Sequence, residues 1–182
     1  MSLLDKLEET DMIAVIDREM KLLLDRKSLE NQRVERVANA NEKDPEAWFE
    51  LGMNDIEEGL RYEDLAFQKA RLQYVLDHPD AEEVPALTLQ LPELKTFYDH
   101  ALACFDYVLE QDAEYYGVQC QRGICFANMH AYEDGEKAFL QALKDDEEDA
   151  NAAYNLALLY EDWGKDDKAA EYFALAQKLQ EE

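Results

Sequence analysis

A spacing of small and aromatic residues that recurs every 34 positions constrains this 182-residue chain more than any other feature. Ala101, Phe105 and Val108 are followed 34 residues on by Gly135, Phe139 and Ala142, and 34 further by Ala169, Phe173 and Ala176. Gly123 and Phe126 stand in the same relation to Ala157 and Tyr160. Offsets of three, four and seven place each set on one face of a helix. A period of this length holds two such helices and a turn. One hairpin cannot bury both faces, whereas stacked hairpins share a continuous core. The prolines agree. Pro45, Pro79, Pro85 and Pro92 all lie between 45 and 92, so 93–182 carries no residue that breaks a helix by losing its amide. The chain is expected to be all-α.

The spacing resembles the tetratricopeptide repeat family, whose pattern is Trp-x2-Leu-Gly-x2-Tyr on one helix and Ala-x3-Phe-x2-Ala on the next. Residues 150–182 match best, through Leu156, Ala157, Tyr160, Gly164, Ala169, Phe173 and Ala176. Residues 116–149 carry Gly123, Phe126, Tyr132, Gly135, Phe139 and Ala142. A unit near 45–79 has Trp48, Leu51 and Gly52, but Asp55 stands where the family has an aromatic. A unit near 82–115 keeps only its second helix, with Ala101, Phe105 and Val108. The resemblance implies a helical-hairpin solenoid over 44–182, preceded by a helical arm over 1–40. In outline, size, acidity and arm also match bacterial secretion chaperones built from three such repeats.

In the arm, Thr10 or Asp11 can cap a helix beginning near Met12. Ile13, Ile16, Met20 and Leu23 form an apolar seam, and the heptad continues through Lys27, Glu30, Val34 and Val37. The charged positions interrupt it, and Ser28 can cap a second helix to about Ala38. Two packed helices, or a coiled coil forming a homodimer through the arm, both fit. Asp44 and Pro45 read as cap and first helical residue. Gly59 suggests a turn between helices at 45–59 and 62–77. Leu87, Leu89 and Leu91 alternate with polar residues between Pro85 and Pro92, as an extended connector. Further helices are expected near 93–111, 114–130, 133–145, 150–162 and 166–180.

The net charge of -25 argues against nucleic acid and anionic membranes as partners, since both are polyanions. Residues 1–40 are nearly balanced, with 7 basic and 9 acidic groups, so the field belongs to the rest of the chain. No apolar run is long enough to insert in a membrane, and the acidic start MSLLDKLEETD is unlike a secretory signal. Three cysteines without a CxxC suggest free thiols and a cytoplasmic location.

Catalytic motifs are absent, so an enzyme is not expected, nor is a cofactor or metal. Cys104, Cys120 and Cys125 read as packing residues, and His78 and His130 as solvated residues near helix ends. The acids at 145–149 lack the spaced ligands of a calcium loop and read as a solvated turn. Arg122 occupies a position usually held by buried Leu, so it should be paired with an acid or the helix rotated. The resemblance implies a concave face that holds a segment of another protein. Its positions here are Gln121, Asn128, Asn151, Tyr154, Asn155, Leu158, Glu161 and Asp162. Amides there can pair with a ligand backbone, and the acids favour a basic or apolar segment. Members that bind acidic chaperone tails use a clamp of Lys, Asn and Arg. Here Phe49, Met53, Gln121, Asn151 and Asn155 occupy those places, and every cation is missing. The expected role is an adaptor or assembly chaperone. The alternative is a structural homo-oligomer whose groove is filled by its own arm or by 84–91.

Overall fold

The computed structural model of the chain describes residues 3–39 and 44–181, with side chains described over 9–27 and 44–181. Among the described residues the fold is a tetratricopeptide-like all-α arrangement of seven helices with no strand. They are α1 (Leu3–Asn39), α2 (Pro45–Asp77), α3 (Leu94–Gln111), α4 (Val118–Asn128), α5 (Tyr132–Asp145), α6 (Ala150–Asp162) and α7 (Asp166–Glu181). The chain divides into two compact units: Met1–Glu42 with Glu57–Leu94, and Lys43–Ile56 with Lys95–Glu182.

In the first unit α1 is one 37-residue helix, where a start near Met12 and a break at Ser28 were expected. No Gly or Pro lies within it, and charge on an apolar stripe does not interrupt backbone hydrogen bonding. Ile16 and Leu23 are buried, Ile13 and Met20 half-buried, and the stripe runs on into fully buried Lys27. The side chains of Glu30, Val34 and Val37 lie outside the described residues. Residues 57–77 run antiparallel to α1, as the order of the ion pairs requires: Asp17 with Lys69 at 2.6 Å, Glu19 with Arg61 at 3.2 Å, Glu58 with Arg26 at 2.8 Å. The first two are exposed at both ends and contribute little. Glu58 is largely buried, so its partner offsets a desolvated charge. Beyond α2, residues 78–93 are irregular, with Leu87, Leu89 and Leu91 half-buried and Thr88 and Gln90 exposed.

Gly59 is not a turn. It is buried inside α2, which runs unbroken for 33 residues. A lone Gly costs a helix only about 1 kcal/mol, which tertiary packing overrides. The start is as expected: Asp44 Oδ1 accepts from the amides of Glu46 and Ala47 at 3.1 and 3.4 Å.

The second unit contains three antiparallel helix pairs. Residues 45–56 pair with α3: Trp48 meets Tyr107 at 4.5 Å between ring centres, Phe49 meets Phe105 at 5.8 Å, and buried Asp55 bonds His100. A Cβ on Gly52 would stand 2.6 Å from the Phe105 ring. The α4–α5 pair has the same joint, with Gly123 2.5 Å from the Phe139 ring on that test. The α6–α7 pair completes the set. Phe105 and Phe139 are fully buried, and Phe173 is half-buried, with the Tyr154 ring edge-on to it at 5.6 Å.

The 34-residue register extends to single hydrogen bonds. Ala131 N donates to Phe126 O at 2.9 Å, and Lys165 N to Tyr160 O at 2.8 Å. The Asp112 carboxylate accepts from Glu114 N, as Asp146 does from Glu148 N. The acids at 145–149 thus serve the turn, and Asp149 caps α6 by accepting from Ala152 N at 2.9 Å. His130 holds a left-handed φ of 54° where the next unit has Gly164 at 73°. Tyr160 ties three helices: its hydroxyl donates to Glu136 Oε1 at 2.6 Å, and Lys168 reaches the same oxygen at 3.0 Å. Burial and that bond push the Tyr160 phenol up to about 12.

Two substitutions check the joint. Phe139→Ala should cost about 3–5 kcal/mol, the usual loss for an emptied aromatic site. Gly123→Ala, which would stabilise an exposed helix, should instead cost about 1–3 kcal/mol by overpacking against the ring. Urea unfolding midpoints read both.

Candidate functional site

Helix α6 divides its surface sharply. Ala152, Ala153, Leu156, Ala157, Leu159 and Tyr160 are buried, and they form the face that packs within the unit. The opposite face carries Asn151, Tyr154, Asn155, Leu158, Glu161 and Asp162 at offsets of three and four, so they make one continuous stripe. Tyr154 is 46% exposed and Leu158 39%, large apolar side chains left in solvent side by side. The Tyr154 ring meets Phe173 of α7 edge-on at 5.6 Å, which fixes its orientation while its face stays open. Asn151, Glu161 and Asp162 are exposed around them, and Asn155 is half-buried.

The amides differ in availability. The Asn155 side chain lies beside the Cys120 thiol of α4 as well as lining the face. Asn128 commits a donor to its own helix, Nδ2 to Ile124 O at 2.9 Å. Gln121 is half-buried on α4. Asp162 is held at the other end: its Oδ2 accepts from the Tyr132 hydroxyl at 2.9 Å and lies 3.0 Å from His130 Nδ1. His130 is exposed as expected, yet it is part of this three-residue clasp. His78 is also exposed, stacked on Tyr74 at 4.2 Å.

Arg122 meets its expectation of an acidic partner. Its guanidinium lies 3.0 Å from Asp106 of α3 and donates to Gln119 Oε1 at 3.1 Å, with the Phe126 ring 6.0 Å away. The three cysteines are buried thiols, none in a disulfide. Burial, aided by nearby Asp149, pushes the Cys120 thiol up to about 11, and burial pushes Cys125 up to about 12. Neither is a nucleophile at neutral pH, since the thiolate is the reactive form.

A group the sequence reading passed over lies in the first helix pair. Asp55, His100 and Cys104 converge there, with donor atoms within 4.8 Å of one another. The available signals were the polar residue at the aromatic position of the repeat and a His and Cys four apart on one helix.

No protein-family model matches the chain, and no curated protein matches it. Among solved structures the chain is similar to MamA, at 18% identity over 81% of this chain and 84% of that one, with a TM-score of 0.44. It is also similar to TTC0263, a thermophilic TPR protein in Thermus thermophilus, at 20% identity over 94% and 91%, with a TM-score of 0.47. At these scores the fold assignment rests on the chain's own helix pairs and register.

The thiols make the fold sensitive to alkali. Both folded pKa values lie above the ordinary 9.0, so their contribution is complete below about pH 9. Above it the unfolded chain loses protons first, and stability falls as pH rises toward the folded values. The urea midpoint should drop as pH rises from about 9 toward about 11, and by less in Cys125→Ala. A thiol reagent at neutral pH should label the native chain far more slowly than the unfolded one.

Proposed function

We propose that the chain is a non-enzymatic protein-interaction module of the cytoplasm, acting as adaptor or assembly chaperone. It holds an extended or helical segment of a partner on the face formed by Gln121 and Asn128 of α4 and by Asn151, Tyr154, Asn155, Leu158, Glu161 and Asp162 of α6. The observation that carries this reading is the solvent-exposed Tyr154–Leu158 pair on a helix whose other face is buried. Large exposed apolar groups rimmed by polar ones are what a docking segment covers. Asn151 and Asn155 can bond a peptide backbone of any sequence, and Glu161 and Asp162 favour a basic or neutral segment over an acidic one. We also propose that the arm spans 1–40 and the repeat domain 44–182, with units beginning near 116 and 150. In this division 45–56 and 95–111 are the two halves of one unit, which 57–94 interrupts.

The second reading, a homo-oligomer filled by its own arm or by 84–91, draws on Met12, Val15 and Leu22, which are 53%, 59% and 54% exposed on α1. Solution mass across a concentration series separates the two readings.

A peptide array tests the first. Its hits should be basic or neutral, and their affinity should fall as salt rises, because screening weakens attraction between unlike charges. Tyr154→Ala should weaken binding by about 1–3 kcal/mol with the fold intact. Asn155→Ala is the less clean probe, since Asn155 is half-buried beside Cys120. Uniformly acidic hits, or a Tyr154→Ala variant that binds all hits as wild type does, would remove this reading.

A further inference from the structure

We propose that Asp55, His100 and Cys104 form a binding site for a zinc-class divalent ion, which pins the first half of α2 to α3. His100 and Cys104 are four apart on α3, so they share one face. Asp55 comes from α2, three residues beyond Gly52. The missing Cβ at Gly52 lets the two helices close until the Phe105 ring fills its place, and that approach brings the carboxylate to the imidazole.

The imidazole nitrogen and the thiol sulfur stand near the separation that one ion needs. His100 Nδ1 lies 3.9 Å from Cys104 Sγ and in direct contact with Asp55 Oδ2. Nitrogen and sulfur donors on one tetrahedral zinc stand about 3.5 Å apart, given bonds near 2.0 and 2.3 Å. The carboxylate must swing away from the imidazole by about 1 Å to share an ion instead of a hydrogen bond. Asp55 and Cys104 are fully buried and His100 is 9% exposed, so an ion enters beside the imidazole.

The chemistry of the set selects the ion. One imidazole nitrogen, one thiolate and one carboxylate oxygen suit zinc and its neighbours, whereas calcium and magnesium need mostly oxygen. Cys104 gives its proton to solvent on binding. The two anionic ligands then cancel the charge of the ion, leaving no net charge in the core. A hydrogen-bonded Asp–His pair accounts for two of the three groups. The third donor, aimed at the same nitrogen, is what turns the pair into a site. The other two cysteines are buried without such a cluster, and no other group of three potential ligands occurs among the described residues.

The test uses the full chain, freed of metal by a chelator and then titrated with Co²⁺ alone. A near-ultraviolet thiolate-to-cobalt charge-transfer band should saturate at one equivalent, vanish on addition of Zn²⁺, and be lost in Cys104→Ala while surviving in Cys120→Ala. His100→Gln keeps an amide to bond Asp55, and should lose the band even if Cys104→Ala fails to fold. Zn²⁺ at a hundredfold excess over Kd should raise the melting temperature of the wild-type chain by about 5–10 °C. A wild-type chain with neither band nor melting shift would overturn the site, as would a band that survives Cys104→Ala.

Discussion

Two of the helix pairs depend on one contact, a helix backbone stripped of its Cβ against the face of a buried phenylalanine. It occurs at Gly52 with Phe105 and at Gly123 with Phe139, where a Cβ would overlap the ring at 2.6 and 2.5 Å. A ring that lies on backbone fills space no side chain could share, and it sets the distance between the two helices of a pair. The small residues beyond it let the next pair close in the same way. Gly135 sits just short of Leu159, and Ala152, Ala153 and Ala157 are fully buried. Interiors packed to this density tolerate neither a hole nor an added methylene, so the register of every later helix follows from that joint.

Polar groups close what the apolar contacts leave open. Asp44 and Asp149 cap helix starts, Asp112 and Asp146 hold equivalent turns, and Tyr160 gathers Glu136 and Lys168. Several of the acids that make the chain so anionic therefore have structural work at helix ends, where free amides favour negative charge. Others, such as Glu161, stand in solvent. They give the α6 face its electrostatic character without cost to the fold. Arg122 is the exception that fits: a cation at a position usually apolar, kept there by Asp106 and Gln119.

Two of the chain's departures from its repeat pattern fall where polar groups meet. Asp55 replaces an aromatic and finds His100 and Cys104. His130 replaces a glycine at a left-handed turn and finds Asp162 and Tyr132. Buried Asp55 has company because a lone polar group would be costly there, and exposed His130 has it because a strained backbone is tolerated only where its surroundings hold it.

The sequence by itself determined the helices after Pro92, their 34-residue register and the rings that fill the core. These follow from spacing within one helix and between successive ones, which is local information. It also exposed the stripe from Asn151 to Asp162, since a helix that buries Ala152, Ala153 and Leu156 must turn those residues outward. Only the tertiary structure decided how 45–94 is used. The expected break at Gly59 rests on a residue that weakens a helix and the one at Ser28 on charges within an apolar seam, but neither interrupts α2 or α1. The partner of residues 45–56 proved to be α3, more than 35 residues downstream, and that pairing joins the two poorest matches to the repeat. The same pairing brings Asp55 to His100 and Cys104. No local pattern announces a contact across so long an intervening segment, because it is made by the fit of two distant faces and not by the period of either.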